Sequence, residues 1–189
     1  MTVIAITGGI GAGKSVVRRI VAAMGYPVYD SDSEARRLMD ADRGIHEALC
    51  RDIHPRAVAD GVIDRALIAA IVFADGAALE RLNAIVHSRV ADDFARRAAA
   101  CRAERIFIES AIVDSCRPLH PLIDCVWDVT APEEVRVARV QARSGLSRDQ
   151  VLARVHAQRT AAVPSIPRHR IINDGVCPLL PRIHRLLTL

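Results

Sequence analysis

The stretch 3-VIAITGGIGAGKSVVRRI-20 decides the fold. Residues 3–7 form a nearly continuous apolar run, the pattern of a strand buried on both faces. A helical pattern opens at Lys14 and continues to Met24, with Gly25 as a left-handed stop. Between them, Gly8-Gly9-Ile10-Gly11-Ala12-Gly13-Lys14-Ser15 satisfies G-x-x-x-x-G-K-[ST] in the strand-to-helix setting that this motif requires. The spacing does not fit G-x-G-x-x-G, which disfavours a dinucleotide-binding turn. Glycines permit positive φ and carry no side chain, so successive N–H groups can point into one concavity. That concavity and the helix start behind it suit phosphate oxygens, making residues 8–16, through Val16, a candidate nucleotide site. Ser15 is the expected Mg²⁺ ligand there. Lys14 is the only lysine among 26 Lys+Arg. Its compact ammonium on a flexible stem can fold over the loop toward the β- and γ-phosphates, where a planar guanidinium is too bulky.

Four further segments read as strands: 27–30, 105–109, 124–129 and 170–173. Helical patterns separate them, so the sheet is expected to be parallel with right-handed crossovers. A helix is expected over 33–41. From 45 to 102 only helices are expected, at 45–52, 65–73 with Asp64 as N-cap, and 77–102. Residues 43–102 therefore read as a helical insertion in a single domain spanning 1–189. Thr130-Ala131-Pro132-Glu133 and Ser147-Arg148-Asp149-Gln150 both match a capping box, opening helices to about 143 and about 160. "SGLS" (144–147) is the tip between them. Residues 161–169, with Pro164 and Pro167, read as a loop, and 178–187 as a closing helix.

Composition narrows the classes of function. With 51% hydrophobic residues in 189, the chain can bury a full core, but with aromatics at 3% it must be aliphatic. A net charge of +4 suits a nucleic acid, an anionic membrane or a small polyanion. The scarcity of aromatics and the lack of an uninterrupted basic run argue against nucleic acid. Five cysteines (50, 101, 116, 125, 177) without a CxxC pair suggest neither disulfides nor zinc. No run approaches the ~20 apolar residues of a membrane span, and no signal peptide is evident. A cytoplasmic protein without membrane partners is expected.

Asp30 and Asp32, in 29-YDSDSEARRL-38, follow the second strand and so sit at the carboxyl edge, where open α/β sheets bind ligands. A carboxylate there can orient or deprotonate an attacking hydroxyl. Asp32 could equally cap a helix starting at Ser33.

Taken together, "AITGGIGAGKS", "YDSDSEAR", "IDRALIAAIVF", "LNAIVH" and "VTAPEEVRVARVQARSGLSRDQVLARVHAQ" resemble the dephospho-CoA kinases, in order and over nearly the whole chain. The resemblance implies a three-layer P-loop kinase fold, with a five-stranded parallel sheet in order 2-3-1-4-5. It also implies a helical CoA-binding lobe within 43–102 and a small helical lid at 134–160. The implied reaction moves the ATP γ-phosphate to the ribose 3′-hydroxyl of dephospho-CoA, with Mg²⁺, giving CoA and ADP. Asp32 matches the catalytic base, and Arg65 and His87 fall on the lobe used for the CoA moiety. Arg139 and Arg143 share a helix face, Arg136 lies near, and Arg143 is the first choice for a lid arginine closing on the phosphates. Asn173-Asp174-Gly175 matches the loop near the adenine. Glu109 is a candidate to orient Mg²⁺ through water.

The chain departs from the family at three places. Ser110-Ala111-Ile112-Val113-Asp114 replaces Pro-Leu-Leu-Phe-Glu, His87-Ser88 replaces His-Pro, and Arg168-His169-Arg170 replaces Ala-Asp. Two other readings stay open. One is a related kinase for another nucleoside or small hydroxyl acceptor, chosen through the altered 110–114 segment. The other is a catalytically silent ATP- or CoA-binding module, against which the joint presence of Lys14, Ser15, Asp32 and Arg143 argues. Monomer and homo-oligomer remain equally open.

Overall fold

The computed structural model describes residues 1–157 and 165–188. The chain runs through β1 (Thr2–Thr7), α1 (Lys14–Ala23), β2 (Val28–Asp30), α2 (Ser31–Ala41) and α3 (Arg43–Asp52). A hairpin of β3 (Val58–Ala59) and β4 (Val62–Ile63) leads to α4 (Arg65–Ala74) and α5 (Gly76–Ala100). There follow β5 (Arg105–Glu109), a 3₁₀ helix (Arg117–Leu122), β6 (Cys125–Thr130), α6 (Glu133–Ser144), α7 (Arg148–Ala157), β7 (Arg168–Ile172) and α8 (Leu179–Leu187). Contacts divide it into two compact units, residues 1–30 with 101–189 and residues 31–100.

The first unit holds a five-stranded sheet in the order β2-β5-β1-β6-β7. All its pairings are parallel. Counted without the hairpin, this is the expected 2-3-1-4-5. Alternation along the strands sends Ile4, Ile6, Phe107, Trp127, Val129 and Ile171 to one face, where Val17 and Val21 of α1 and Ile183 and Leu187 of α8 cover them. Residues of the opposite parity, Ala5, Ile106, Ile108 and Val126, are buried as well. A sheet covered on both faces explains why its strands read as continuous apolar runs. Helix α1 ends as expected at Gly25 (φ 90°), where Gly25 N–H donates to Ala22 O (3.0 Å) and Tyr26 N–H to Val21 O (3.2 Å).

The last strand begins at Arg168 rather than 170, because Arg168 already pairs with Val126. Thr130 does not open a capping box. It is the last residue of β6, paired with Ile172, and the N-cap of α6 falls on Pro132 without a side-chain bond. Sheet pairing outcompetes the local cap. The second box forms, Gln150 N–H donating to Ser147 Oγ (3.3 Å) and Ser147 N–H to Gln150 Oε1 (3.0 Å). Gly145 (φ 67°) makes the tip between α6 and α7. The expected continuation of α7 to 160, with Gln158, and the loop residues up to Pro164 lie outside the described residues.

In the second unit, α5 packs against α2, α3 and α4. Its core includes Leu38, Ile45, Leu49, Ile68, Val90 and Phe94. Glu34 and the buried Asp93 hold Arg37 and Arg97 between α2 and α5. Asp64 caps α4 by accepting from Leu67 N–H (2.9 Å), as expected. The expectation of helices alone from 45 to 102 is wrong at one place. Val58–Ala59 and Val62–Ile63 pair across Asp60-Gly61, whose φ values of 52° and 78° are those of a two-residue hairpin turn. Asp-Gly between apolar residues is the signal for it, masked by strands of only two residues each. Helix α2 starts at Ser31, not Ser33, so Asp32 lies in its first turn instead of capping it. Among the described residues no helix is long and apolar enough to cross a membrane.

Phe107 stacks edge-on against Trp127 (centroids 5.1 Å) and Tyr26 (5.5 Å) and is fully buried. Phe107→Ala is expected to cost about 3–5 kcal/mol of stability. The lone tryptophan reports on this unit directly, so the urea midpoint followed by its fluorescence should fall. A midpoint within error of the parent would contradict the close packing of this face.

Candidate active site

The glycine loop leaves β1 at the carboxyl edge and enters α1. Gly11 (φ 76°) and Gly13 (φ 94°) hold left-handed conformations that side-chain-bearing residues resist. A Cβ on Gly13 would also run into Asn173 Nδ2, and one on Gly9 into the Arg136 guanidinium. Turning N–H groups toward one concavity forces the carbonyls outward, and each then needs a donor. All six find one. Lys14 Nζ donates to Gly8 O (2.8 Å), Ala12 N–H to Gly9 O (3.1 Å), and Arg136 Nε to Ile10 O (2.9 Å). Arg139 Nη1 donates to Gly11 O (3.4 Å), Asn173 Nδ2 to Ala12 O (3.0 Å), and Val16 N–H to Gly13 O (3.0 Å).

Arg139 also donates to Asn173 O (3.0 Å) and Oδ1 (3.4 Å), while Asn173 N–H donates to Thr130 O (2.7 Å). Buried Asn173 thus ties the loop after β7 to the glycine loop and to α6. Sequence reasoning expected adenine contacts from its backbone and missed this side-chain role. Gly175 (φ 85°) follows it, and Asp174 turns the chain by accepting from Val176 and Cys177 N–H, which hold its carboxyl below the usual range. Ile10 packs into the apolar seam of Val137, Val140, Val151 and Val155 between α6 and α7. Bidentate pairing of Arg148 with Glu134 (2.7 and 2.6 Å) braces that helical pair from outside.

Helix α1 begins without a side-chain cap and without an acid in its first turn. A helix start of this kind suits an anion, although Val16 N–H in that turn already donates to Gly13 O (3.0 Å). Arg143 is exposed and makes no side-chain hydrogen bond or ion pair among the described residues. Arg139, the second choice for a lid arginine, is instead committed to the loop carbonyls. Arg18, one turn beyond Lys14, was missed. It pairs with Asp30 (3.1 Å) and Glu109 (2.6 Å), the last residues of the adjacent strands β2 and β5. Glu109, a candidate for Mg²⁺, is therefore held by a guanidinium.

In the second unit Asp32, Arg65 and His87 sit on α2, α4 and α5, and among the described residues no hydrogen bond or ion pair joins them. Arg65 Nη2 donates to Asp40 Oδ1 (2.6 Å). His87 is half-buried, and burial pushes its pKa down, keeping it neutral. Phe73 closes α4 with 95% of its surface exposed. Two of the departures meet each other: Asp114 and Arg168 form an ion pair.

Asn173→Ala leaves the Ala12 carbonyl without its donor and Arg139 with one acceptor fewer. A loss of about 1–3 kcal/mol is expected, read as a lower thermal midpoint. Asn173→Asp cannot donate to Ala12 O, so it should fail to restore the parent value; full restoration would refute the side-chain role.

Comparison with known proteins agrees with this geometry. A family model described as dephospho-CoA kinase matches residues 2–169. A dephospho-CoA kinase of Porphyromonas gingivalis is 37% identical over 189 residues, covering 99% of this chain and 93% of the relative. A crystal structure from Thermus thermophilus superposes with a TM-score of 0.74 at 35% identity, covering 99% of this chain and 94% of that one. A Campylobacter jejuni dephospho-CoA kinase, at 17% identity and a TM-score of 0.64, covers 98% of this chain and 95% of its own, and shares the fold. By the family model and by identity over nearly its full length, this chain belongs to the dephospho-CoA kinase family.

Proposed function

We propose that this kinase transfers the γ-phosphoryl group of ATP to the ribose 3′-hydroxyl of dephospho-CoA, releasing CoA and ADP, the last step of CoA synthesis. The observation that carries this reading is the uncapped start of α1 behind a glycine loop whose outward carbonyls are all satisfied. Such a loop is preorganised: its N–H groups need no rearrangement to receive phosphate oxygens, which is where electrostatic catalysis of phosphoryl transfer resides. Lys14 would leave Gly8 O for the β- and γ-phosphates. The adenine would lie near Asn173 and Gly175, against main-chain groups.

Asp32 is proposed as the base that orients the acceptor hydroxyl and takes its proton. It stands in the first turn of α2, directly after the end of β2. Arg65 and His87 are proposed to hold the CoA moiety, with Arg65 exchanging Asp40 for an anionic group of the substrate and neutral His87 donating or accepting one hydrogen bond. The 95%-exposed ring of Phe73, at the end of α4, is proposed to pack against the same moiety. Arg143 is proposed to close on the transferring phosphate, since among the described residues its side chain has no partner whereas Arg139 has three.

Mg²⁺ fits a donor set of one hydroxyl with phosphate oxygens and waters, so Ser15 would hold it, and Glu109 would act only through water. When bound, the ion neutralises charge on the β- and γ-phosphates. The enzyme is proposed to work in the cytoplasm, without nucleic-acid or membrane partners.

The deciding assay follows ADP release from Mg·ATP with and without dephospho-CoA, together with mass detection of CoA. ADP rising only with acceptor, with CoA appearing, is the expected outcome; ATP binding without CoA would sink the reading. Asp32→Asn should lower kcat by about 10²–10⁴-fold while ATP affinity stays within twofold. Arg143→Ala should lower kcat by about 10–10³-fold with little change in stability. Equal losses of ATP affinity in both variants would point to a damaged nucleotide site in place of lost catalysis.

A further inference from the structure

Strand β7 is the last in the sheet order, so its outer edge has no partner strand. Between this edge and α8 lies a groove of about 600 Å³. Arg168, His169 and Arg170 line it from the strand, and Arg182 and Arg185 from the helix, with Leu186 among its apolar walls. Among the described residues no Asp or Glu lines it. Arg168 is engaged by Asp114, but among the described residues the side chains of Arg170, Arg182 and Arg185 make no hydrogen bond or ion pair. Helix α8 is anchored by Ile183 and Leu187 in the core, which fixes Arg182 and Arg185, one turn apart, on its outer side.

Like charges gathered on one concavity repel each other, and the cluster is relieved by an anion. Charged side chains on an exposed edge strand also deter pairing with another chain, and Arg168 and Arg170 alone could be read that way. Arg182 and Arg185 cannot, because they belong to a helix. A concavity of this volume is in the range of small-molecule sites. Among the described residues no Phe, Tyr or Trp lines it for base stacking, which disfavours a single-stranded nucleic acid. Three unengaged guanidiniums call for about three negative charges at close spacing, which a diphosphate group supplies and a lone carboxylate does not.

We propose that the groove between β7 and α8 is a second anion site, separate from the glycine loop, that binds a diphosphate group, free or esterified, through Arg170, Arg182 and Arg185. It depends on the Arg168-His169-Arg170 segment, where this chain carries two arginines in place of the residues usual in its family. Asp114 engages Arg168, which leaves Arg170, Arg182 and Arg185 as the lining arginines without a partner among the described residues.

The test is calorimetric titration of the full chain with inorganic pyrophosphate while ADP is held at saturation to fill the glycine loop. One equivalent of pyrophosphate should still bind. The Arg170→Ser, Arg182→Ser, Arg185→Ser triple variant should weaken that binding at least tenfold and leave ADP affinity unchanged, since these side chains lie outside the nucleotide site. A short alkyl diphosphate in parallel distinguishes the sources: tighter binding than pyrophosphate marks an esterified ligand, weaker binding a free one. Pyrophosphate displaced fully by ADP, or bound equally by the triple variant, overturns the proposal. So does binding of single-stranded RNA or phosphatidylserine vesicles that the triple variant loses when pyrophosphate binds to neither protein. If the triple variant does not fold, Arg185→Gln, a single exposed change, should still weaken pyrophosphate at least threefold. None of these outcomes depends on which hydroxyl the kinase phosphorylates.

Discussion

Carbonyl oxygens set the terms for this nucleotide site. A loop that directs its N–H groups at a phosphate must direct its C=O groups elsewhere, and a buried carbonyl without a donor costs about 1–3 kcal/mol. Residues 8–13 present six such oxygens, and the chain supplies donors from three sources: the loop's own backbone, Lys14, and side chains of Arg136, Arg139 and Asn173. The side-chain donors come from α6 and from the end of β7, more than 120 residues along the chain. Folding of the sheet is therefore a precondition for a competent loop. Strands β6 and β7 must pair in register before Asn173 can reach Ala12.

The same geometry divides labour among the arginines of α6. Arg136 and Arg139 face the loop and are spent on its carbonyls, whereas Arg143, a turn further on, has no such partner among the described residues. A helix surface thus carries engaged and unengaged arginines at successive turns. Ile10 adds an apolar peg between α6 and α7, so the helical pair is seated on the glycine loop by packing as well as by hydrogen bonds. Displacing that pair would unsatisfy Ile10 O and Gly11 O together.

Much of this was legible before any coordinates, and what was not has a physical pattern. The glycine loop, the five main strands and the Gly25 stop depend on local φ preferences or on continuous apolar runs, which sequence displays directly. The Asp60-Gly61 hairpin was also written in the chain, but two-residue strands give no periodicity to support it. Thr130 shows the opposite failure: a sound local cap signal was overridden by pairing with Ile172. Arg18 between Asp30 and Glu109, and Asn173 under the loop, arise from contacts between distant segments, where residue type alone does not choose the partner. The one clue available was chemical: two strand-end carboxylates on neighbouring strands require a cation, and Arg18 lies one turn from Lys14. The departures at 114 and 168 looked like separate losses in the sequence, yet they meet as an ion pair.

A chain with a single lysine has placed its only side-chain amine inside the phosphate loop, 2.8 Å from Gly8 O. Reagents that acylate amines, which label most proteins at many indistinct surface positions, meet here one side-chain target, and it lies in the glycine loop. An α-amino terminus is acylated as well, so loss of nucleotide binding would follow modification at Lys14 and not total stoichiometry. The arginine surface, inert to such reagents, makes the molecule chemically addressable at the point where its chemistry is done.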